Sequence, residues 1–254
     1  GVGLFEQVTN LEIASRADPS DSDGDGISGR FNTDGQGNMG RFGFKAQANF
    51  LEAFLRGAIN NQMGITTDPF YGSSGIVSTG FMQVGASFDT PTTDNDAVAD
   101  PEISVGDFGD IVVFSQFVAP PPKGEMGAEE FLGEQIFTDL GCVKCHTPEI
   151  QSGFGPLAAY SDLLLHDMGP ELADGISMGM PQFSPISPNT TGSEYRTQPL
   201  WGVRLHGPWL HDGRADSLHD AIILHGGEAQ SIKESYEALP VADQEAVIRF
   251  LEAL

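Results

Sequence analysis

Residues 137–150 read FTDLGCVKCHTPEI and hold both cysteines of the chain, Cys142 and Cys145, with His146 directly after the second. Three chemistries use two cysteines at this spacing. A thioredoxin-like redox pair requires a βαβ setting, and no such alternation of strand and helix patterns surrounds the stretch. A structural zinc site requires four ligands, with a second Cys or His pair at short spacing. The remaining histidines, His166, His206, His211, His219 and His225, are scattered and supply no compact pair. Covalent haem accounts for all three residues at once: the thiols add to the haem vinyl groups, and the following imidazole ligates the iron. A plain disulfide is the bland alternative.

Working outward, MGAEEFLGEQIFTDLG (126–141) predicts a helix with Phe131, Leu132, Ile136 and Phe137 apolar, running straight into CVKCH. The chain closes on LPVADQEAVIRFLEAL (239–254), a second helix carrying Val247, Ile248, Leu251 and Leu254. One helix before the motif and one at the C-terminus is the layout of a cytochrome c domain, in which the two cross and Gly133 permits close approach. APPPKG (119–124) reads as a linker, because a proline run cannot continue a helix. The expected architecture is therefore mainly α: a helix-and-loop region over 1–124, then a cytochrome c-like domain over 125–254 with one covalent haem. In the first part, helices are expected over 3–16 (Leu4, Phe5, Val8 and Leu11 on one face), 45–62 (Phe50, Leu51, Phe54, Leu55 and Ile59) and 105–118. The Gly/Thr/Ser/Asp-rich stretch between them offers a small hairpin within 75–88.

The balance of 36 acidic against 12 basic side chains, a net charge of −24 over 254 residues, repels phosphate backbones and excludes nucleic-acid binding. It suits simple solubility, a basic protein partner, divalent cations or a salty habitat. No apolar run approaches the ~20 residues a membrane helix needs. The opening GVGLFEQV lacks an initiator Met and a signal-peptide core, so a processed or truncated product is expected. In DSDGDGISGRFN (21–32), Asp21, Asp23, Asp25 and Gly26 fall at positions 1, 3, 5 and 6 of a Ca²⁺ loop, with the Ile27 carbonyl at position 7. Position 12 is Asn32 instead of the bidentate glutamate of an EF-hand, and Asp18 is available from outside. Three carboxylates this close repel one another unless neutralised, which favours calcium over an empty turn.

A sixth ligand for the iron is open on residue type alone: Met168, Met178, Met180, His211 and His225 all qualify. A resemblance narrows the choice. GRFGFKAQ, GCVKCHTP, YSDLLLHDMGPELADG, YRTQPLWGVRLHGPWLHDGRADSLHDAIILHGGEAQ and the terminal FLEAL together resemble the di-haem cytochrome c peroxidase superfamily, most of all its di-haem oxidoreductase (thiol oxidoreductase) branch. The resemblance implies that His225 matches the distal-ligand position of the second haem, 79 residues beyond His146, with Met180 as runner-up. It also implies that Arg196, Trp201, Arg204 and His211 line the haem, the arginines on propionates and Trp201 on the macrocycle. A structural calcium near the haem junction is a further family feature.

Two departures stand out. Members carry two CxxCH motifs, and this sequence has one; Phe44 stands where the family usually has an oxidisable tryptophan. The expected function is one-electron transfer through a single bis-His haem c, with a redox partner protein, another cytochrome or a haem-bearing N-terminal segment as counterpart. The alternatives are the electron-transfer half of a di-haem peroxidase and a haem-bearing subunit of a multi-cytochrome assembly. Because c-type haem is attached outside the bacterial cytoplasm, a periplasmic, cell-surface or extracellular location follows.

Overall fold

The computed structural model describes residues 1–34, 36–65, 67, 98, 102–182 and 189–254. The hairpin expected within 75–88 lies outside them. Among the described residues the chain is helical with two small antiparallel sheets. The helices are α1 (Asn10–Ala14), α2 (Leu51–Gly57), α3 (Val105–Phe117), α4 (Ala128–Asp139), α5 (Leu218–Ile223), α6 (Gln230–Glu237) and α7 (Val241–Ala253). Strands β1 (Ile150–Ser152) and β2 (Gly155–Leu157) form one hairpin; β3 (Leu165–Asp167) pairs with β4 (Glu194–Arg196) across a longer connection. No helix among the described residues is long and apolar enough to cross a membrane.

The helices flanking CVKCH behave as their sequence dictates. At the start of α4 the Glu130 carboxylate accepts the Gly127 amide at 2.8 Å, and Glu129 adds a second acid where the helix dipole favours one. Gly141, at φ 93°, ends the helix in a left-handed conformation and turns the chain into a 3₁₀ turn over Cys142–Lys144. Gly133 lets α4 meet α7. A Cβ there would collide with the Ala246 carbonyl and come 2.8 Å from the Phe250 side chain. The contact stripe therefore centres on Gly133 and Phe137, while Phe131 and Leu132, also apolar, are 58% and 46% exposed.

The N-terminal helix is also corrected. Residues Val2–Gln7 form a 3₁₀ turn, Val8 is extended and bridges Ser152, and Thr9 caps the short α1 by accepting the Glu12 amide. The break buries Phe5, Val8 and Ile13 and leaves Leu11 in solvent, because Val8 joins the edge of the β1–β2 hairpin instead of continuing a helix. The helix expected over 45–62 starts only at Leu51: α2 runs to Gly57 and passes into a π-helical turn over Ala58–Gln62, with Leu51 and Ile59 buried and Phe50, one residue before the helix, exposed.

Two apolar clusters result. One gathers Phe5, Val8, Ile13, Phe42 and Leu51 with Ile150, Leu163, Leu164 and Trp201 from the second half of the chain. The other gathers Phe137, Tyr160, Val203, Leu218, Tyr236, Val247, Phe250 and Leu254 around the α4–α7 crossing. Phe137, Tyr160 and Phe250 meet ring to ring, with centroids 5.3–6.4 Å apart. The proline stretch is tied to the C-terminal part of the chain: Gly124 donates to Ala253 O at 2.8 Å, and Arg204 reaches the Pro122 carbonyl at 3.0 Å.

Candidate haem site

His146 leaves the 3₁₀ turn with its amide on Cys142 O at 2.9 Å, and its Nδ1 lies 3.0 Å from the Tyr160 carbonyl. That carbonyl is aimed by an uncommon backbone: Tyr160 has φ 52°, left-handed for a residue with a side chain. A conformation of this kind costs about 1–2 kcal/mol. It is offset by the ring's place in the aromatic trio and by the phenol, which donates to Glu134 at 3.0 Å. The carbonyl fixes which nitrogen of His146 carries hydrogen and leaves Nε2 as the lone-pair donor.

His225 repeats the arrangement from the end of α5. Placed two residues beyond that helix, it has Nδ1 2.6 Å from the Ala221 carbonyl of α5. Among the described residues neither His146 Nε2 nor His225 Nε2 has a hydrogen-bond partner. Burial, then the repulsion of the nearby His225, pushes the His146 pKa down to about 4. Burial likewise lowers His225. Both are thus neutral imidazoles at pH 7, the form that binds metal. Cys142 and Cys145 are free and half-buried, and burial pushes the Cys142 thiol up to about 12, far from a reactive redox thiolate. Leu140, Val143, Ile222 and Ile223 supply apolar packing beside them. Two free thiols, two neutral imidazoles with open Nε2 atoms and apolar walls are a donor set that fits a covalent haem.

The other expected haem contacts have protein partners of their own. Trp201 stacks on Phe5, centroids 5.1 Å apart and 11° from parallel, because the N-terminal segment covers it. Arg204 is spent on the carbonyls of Pro122 and Glu252, tying the linker to the end of α7. His211 stacks on Tyr195 at 4.3 Å, with Nε2 3.1 Å from the phenol oxygen. Arg196 is buried and bonds Gly43 O, Thr197 O and Gln198 Oε1; burial lowers its pKa to about 10. Its amide also donates to Phe44 O at 2.7 Å, while the Phe44 side chain is half exposed. Met180 is 58% exposed, and its backbone is paired with Thr33.

The acidic loop closes on itself. Carboxylate oxygens of Asp21, Asp23 and Asp25 lie within 4.8 Å of one another. Asp21 accepts the Gly26 amide, Asp23 that of Asp25, and Asp25 that of Ile27. Asp18 is occupied by Ser22, through its amide at 2.7 Å and its hydroxyl at 2.8 Å. Asn32 is buried and fully bonded to Lys45 O, Met178 O and the Thr33 amide, so it does not serve as the twelfth loop position. Asp25 also pairs with Lys144, inside CVKCH, at 2.9 Å.

A second histidine centre adjoins Cys145. His166 is buried with Nε2 2.8 Å from Asp162 Oδ2 and Nδ1 2.8 Å from Glu228 Oε2. Sequence reasoning passed over this trio; its only signal is an Asp-x₃-His spacing inside the apolar run YSDLLLHD.

The chain matches, over residues 1–254, the model of the family described as "Di-haem oxidoreductase, putative peroxidase", and it belongs to that family. It is similar to the "Methylamine utilization protein MauG" of Methylorubrum extorquens, at 29% identity over 139 residues, 52% of this chain and 36% of that protein. The match thus spans little more than a third of that relative's length. Among solved structures, Kuenenia stuttgartiensis hydrazine synthase pressurised with xenon aligns at 19% identity, covering 60% of this chain and 56% of that one, with a TM-score of 0.42.

Proposed function

We propose that the chain is a c-type cytochrome that carries single electrons through one haem attached at Cys142 and Cys145, with His146 and His225 as its two axial ligands. Residues 125–254 form the haem-carrying part in this reading. One observation carries it: two neutral imidazoles, 79 residues apart in sequence, each have Nδ1 on a backbone carbonyl and Nε2 open. The haem supplies an iron that alternates between Fe(III) and Fe(II). The chain's own residues orient the two rings, keep both unprotonated and supply apolar packing around the motif. Saturating both axial positions favours electron transfer over peroxide binding. Optical spectra of the purified protein, oxidised and reduced, together with intact mass, test this. One covalent haem, low-spin and without the near-infrared methionine–iron band, is expected. A high-spin component that reacts with peroxide would sink it.

The second reading makes the chain the electron-transfer part of a di-haem oxidoreductase. The half-exposed Phe44, held through its carbonyl by Arg196, favours it, since an aromatic there stands where the family joins its two haems. Under that reading the first haem comes from another segment or partner, and a second haem in the preparation is the deciding result. A place in a larger multi-cytochrome assembly predicts stable association with other cytochromes. We further propose a calcium ion at Asp21, Asp23, Asp25 and the Ile27 carbonyl, supported by the convergence of the three carboxylates. A periplasmic, cell-surface or extracellular location and a partner redox protein follow from the haem chemistry.

A further inference from the structure

The two ligands of the proposed haem come from segments with no short covalent path between them. His225 follows the six-residue α5 two residues after its end, and its one ring bond reaches back to Ala221 in that helix. That bond orients the imidazole but does nothing to fix the helix relative to CVKCH. The buried Asp162–His166–Glu228 trio spans this gap. The Asp162 amide donates to the Cys145 carbonyl at 3.1 Å, the peptide immediately before His146. Glu228 stands three residues after His225, and its carboxylate takes the Ser28 hydroxyl at 2.6 Å and the Ser28 amide at 3.1 Å as well as His166. With a carboxylate on each ring nitrogen, His166 is held as an imidazolium, and charge-assisted bonds of this kind are about twice as strong as neutral ones.

The backbone is fitted to the same purpose. Gly227, at φ 54°, lies so close to the Asp167 carbonyl that no Cβ is accommodated. A Cβ on Gly29 would come 2.9 Å from the His166 ring. The turn after His225 is thereby pressed onto β3, which carries His166.

We propose that Asp162, His166 and Glu228 are positioning residues: the imidazolium, gripped from both sides, holds the His225 segment at ligating distance from the His146 segment. This rests on the bis-histidine reading above. A purely structural ion pair would affect melting alone; a positioning role also affects the occupancy of the sixth coordination site.

The test uses the haem-loaded protein as wild type, His225→Ala, Glu228→Gln and Ser28→Ala, comparing ferric spin state and the rate of cyanide binding. His225→Ala is expected to be high-spin. Glu228→Gln should retain covalent haem and a cooperative melt, yet show mixed spin and bind cyanide about tenfold faster, since its bond to His166 loses the anionic partner. A low-spin His225→Ala overturns the ligand reading and this inference with it. If His225→Ala is high-spin while Glu228→Gln stays low-spin and binds cyanide at the wild-type rate, the positioning role alone is overturned. Should Glu228→Gln not fold, Ser28→Ala decides, because it loosens Glu228 without unpairing a buried charge. About two- to threefold faster cyanide binding supports the role, and an unchanged rate overturns it.

Discussion

Two histidine centres adjoin Cys145, and they differ in charge: one is neutral, the other cationic. His146, with His225 near it, has a backbone carbonyl as its hydrogen-bond partner, and burial drives its pKa down to about 4. His166 is buried more completely, yet its pKa is raised well above the ordinary value. Burial alone would lower it; the neighbouring Cys145 and then the Asp162 carboxylate overcome that, with Glu228 2.8 Å from the other ring nitrogen. Burial therefore does not decide what a histidine does; the oxygen opposite each nitrogen does. A carbonyl leaves a neutral lone pair for a metal, while a carboxylate consumes it by keeping the proton.

The largest break in this comparison is chemical. Replacing Cys142 and Cys145 together by alanine should abolish covalent haem, read by intact mass, and leave the Asp162–His166–Glu228 trio in place. A double variant that still carried the haem would overturn the attachment site.

In the haem-free chain the two centres should differ sharply in what they contribute to folding. Asp162→Ala strands a buried imidazolium with one partner and should cost about 3–5 kcal/mol in a urea titration. His146→Ala removes a neutral ring with one carbonyl bond, and the bond itself accounts for about 1 kcal/mol. Equal losses in excess of the cavity effect would erase the distinction.

The pH dependence sharpens it further. His146 and His225 are held below their unfolded value, so the unfolded chain takes up protons that the fold refuses. Stability should fall as pH drops from about 6.5 towards 4, by up to ~1.4 kcal/mol per pH unit for each proton refused. His166 acts in the opposite sense. Its raised value gives stability that is complete below the unfolded pKa and is lost as pH rises through the folded one. Asp162 and Glu228, both lowered, contribute above their unfolded values and lose that contribution as pH falls through the folded ones. Urea midpoints across pH should therefore show an alkaline decline that flattens in His166→Asn, and an acid decline that flattens in His225→Asn.

The smallest expected effect lies at the acidic loop. With calcium at Asp21, Asp23 and Asp25, a chelator should lower the melting temperature by about 2–4 °C, the shift that ~1 kcal/mol produces in a chain of this size. Lys144→Ala should change stability by less than ~1 kcal/mol, because its pair with Asp25 is partly solvated. No chelator shift in metal-free buffer would leave the loop a self-bonded turn.

Much of the frame was legible before any coordinates. The helix before CVKCH, the closing helix, the glycine between them and the helix over 105–118 all came from local pattern, since period and capping are properties of neighbouring residues. The N-terminal helix was misread because apolar spacing cannot show that Val8 bridges Ser152. The partners of Trp201 and Arg204, Phe5 and the Pro122 carbonyl, lie far away in the chain and leave no trace in local pattern.

The sequence by itself determined the covalent motif, the acid excess and the helical frame around the motif, because each is written in residues close together. Only the tertiary structure decided that His146 and His225 are neutral and His166 is charged. Tyr160, Ala221, Asp162 and Glu228 become their partners by folding, and a proton's affinity depends on the atom within three ångströms, whatever its place in the chain.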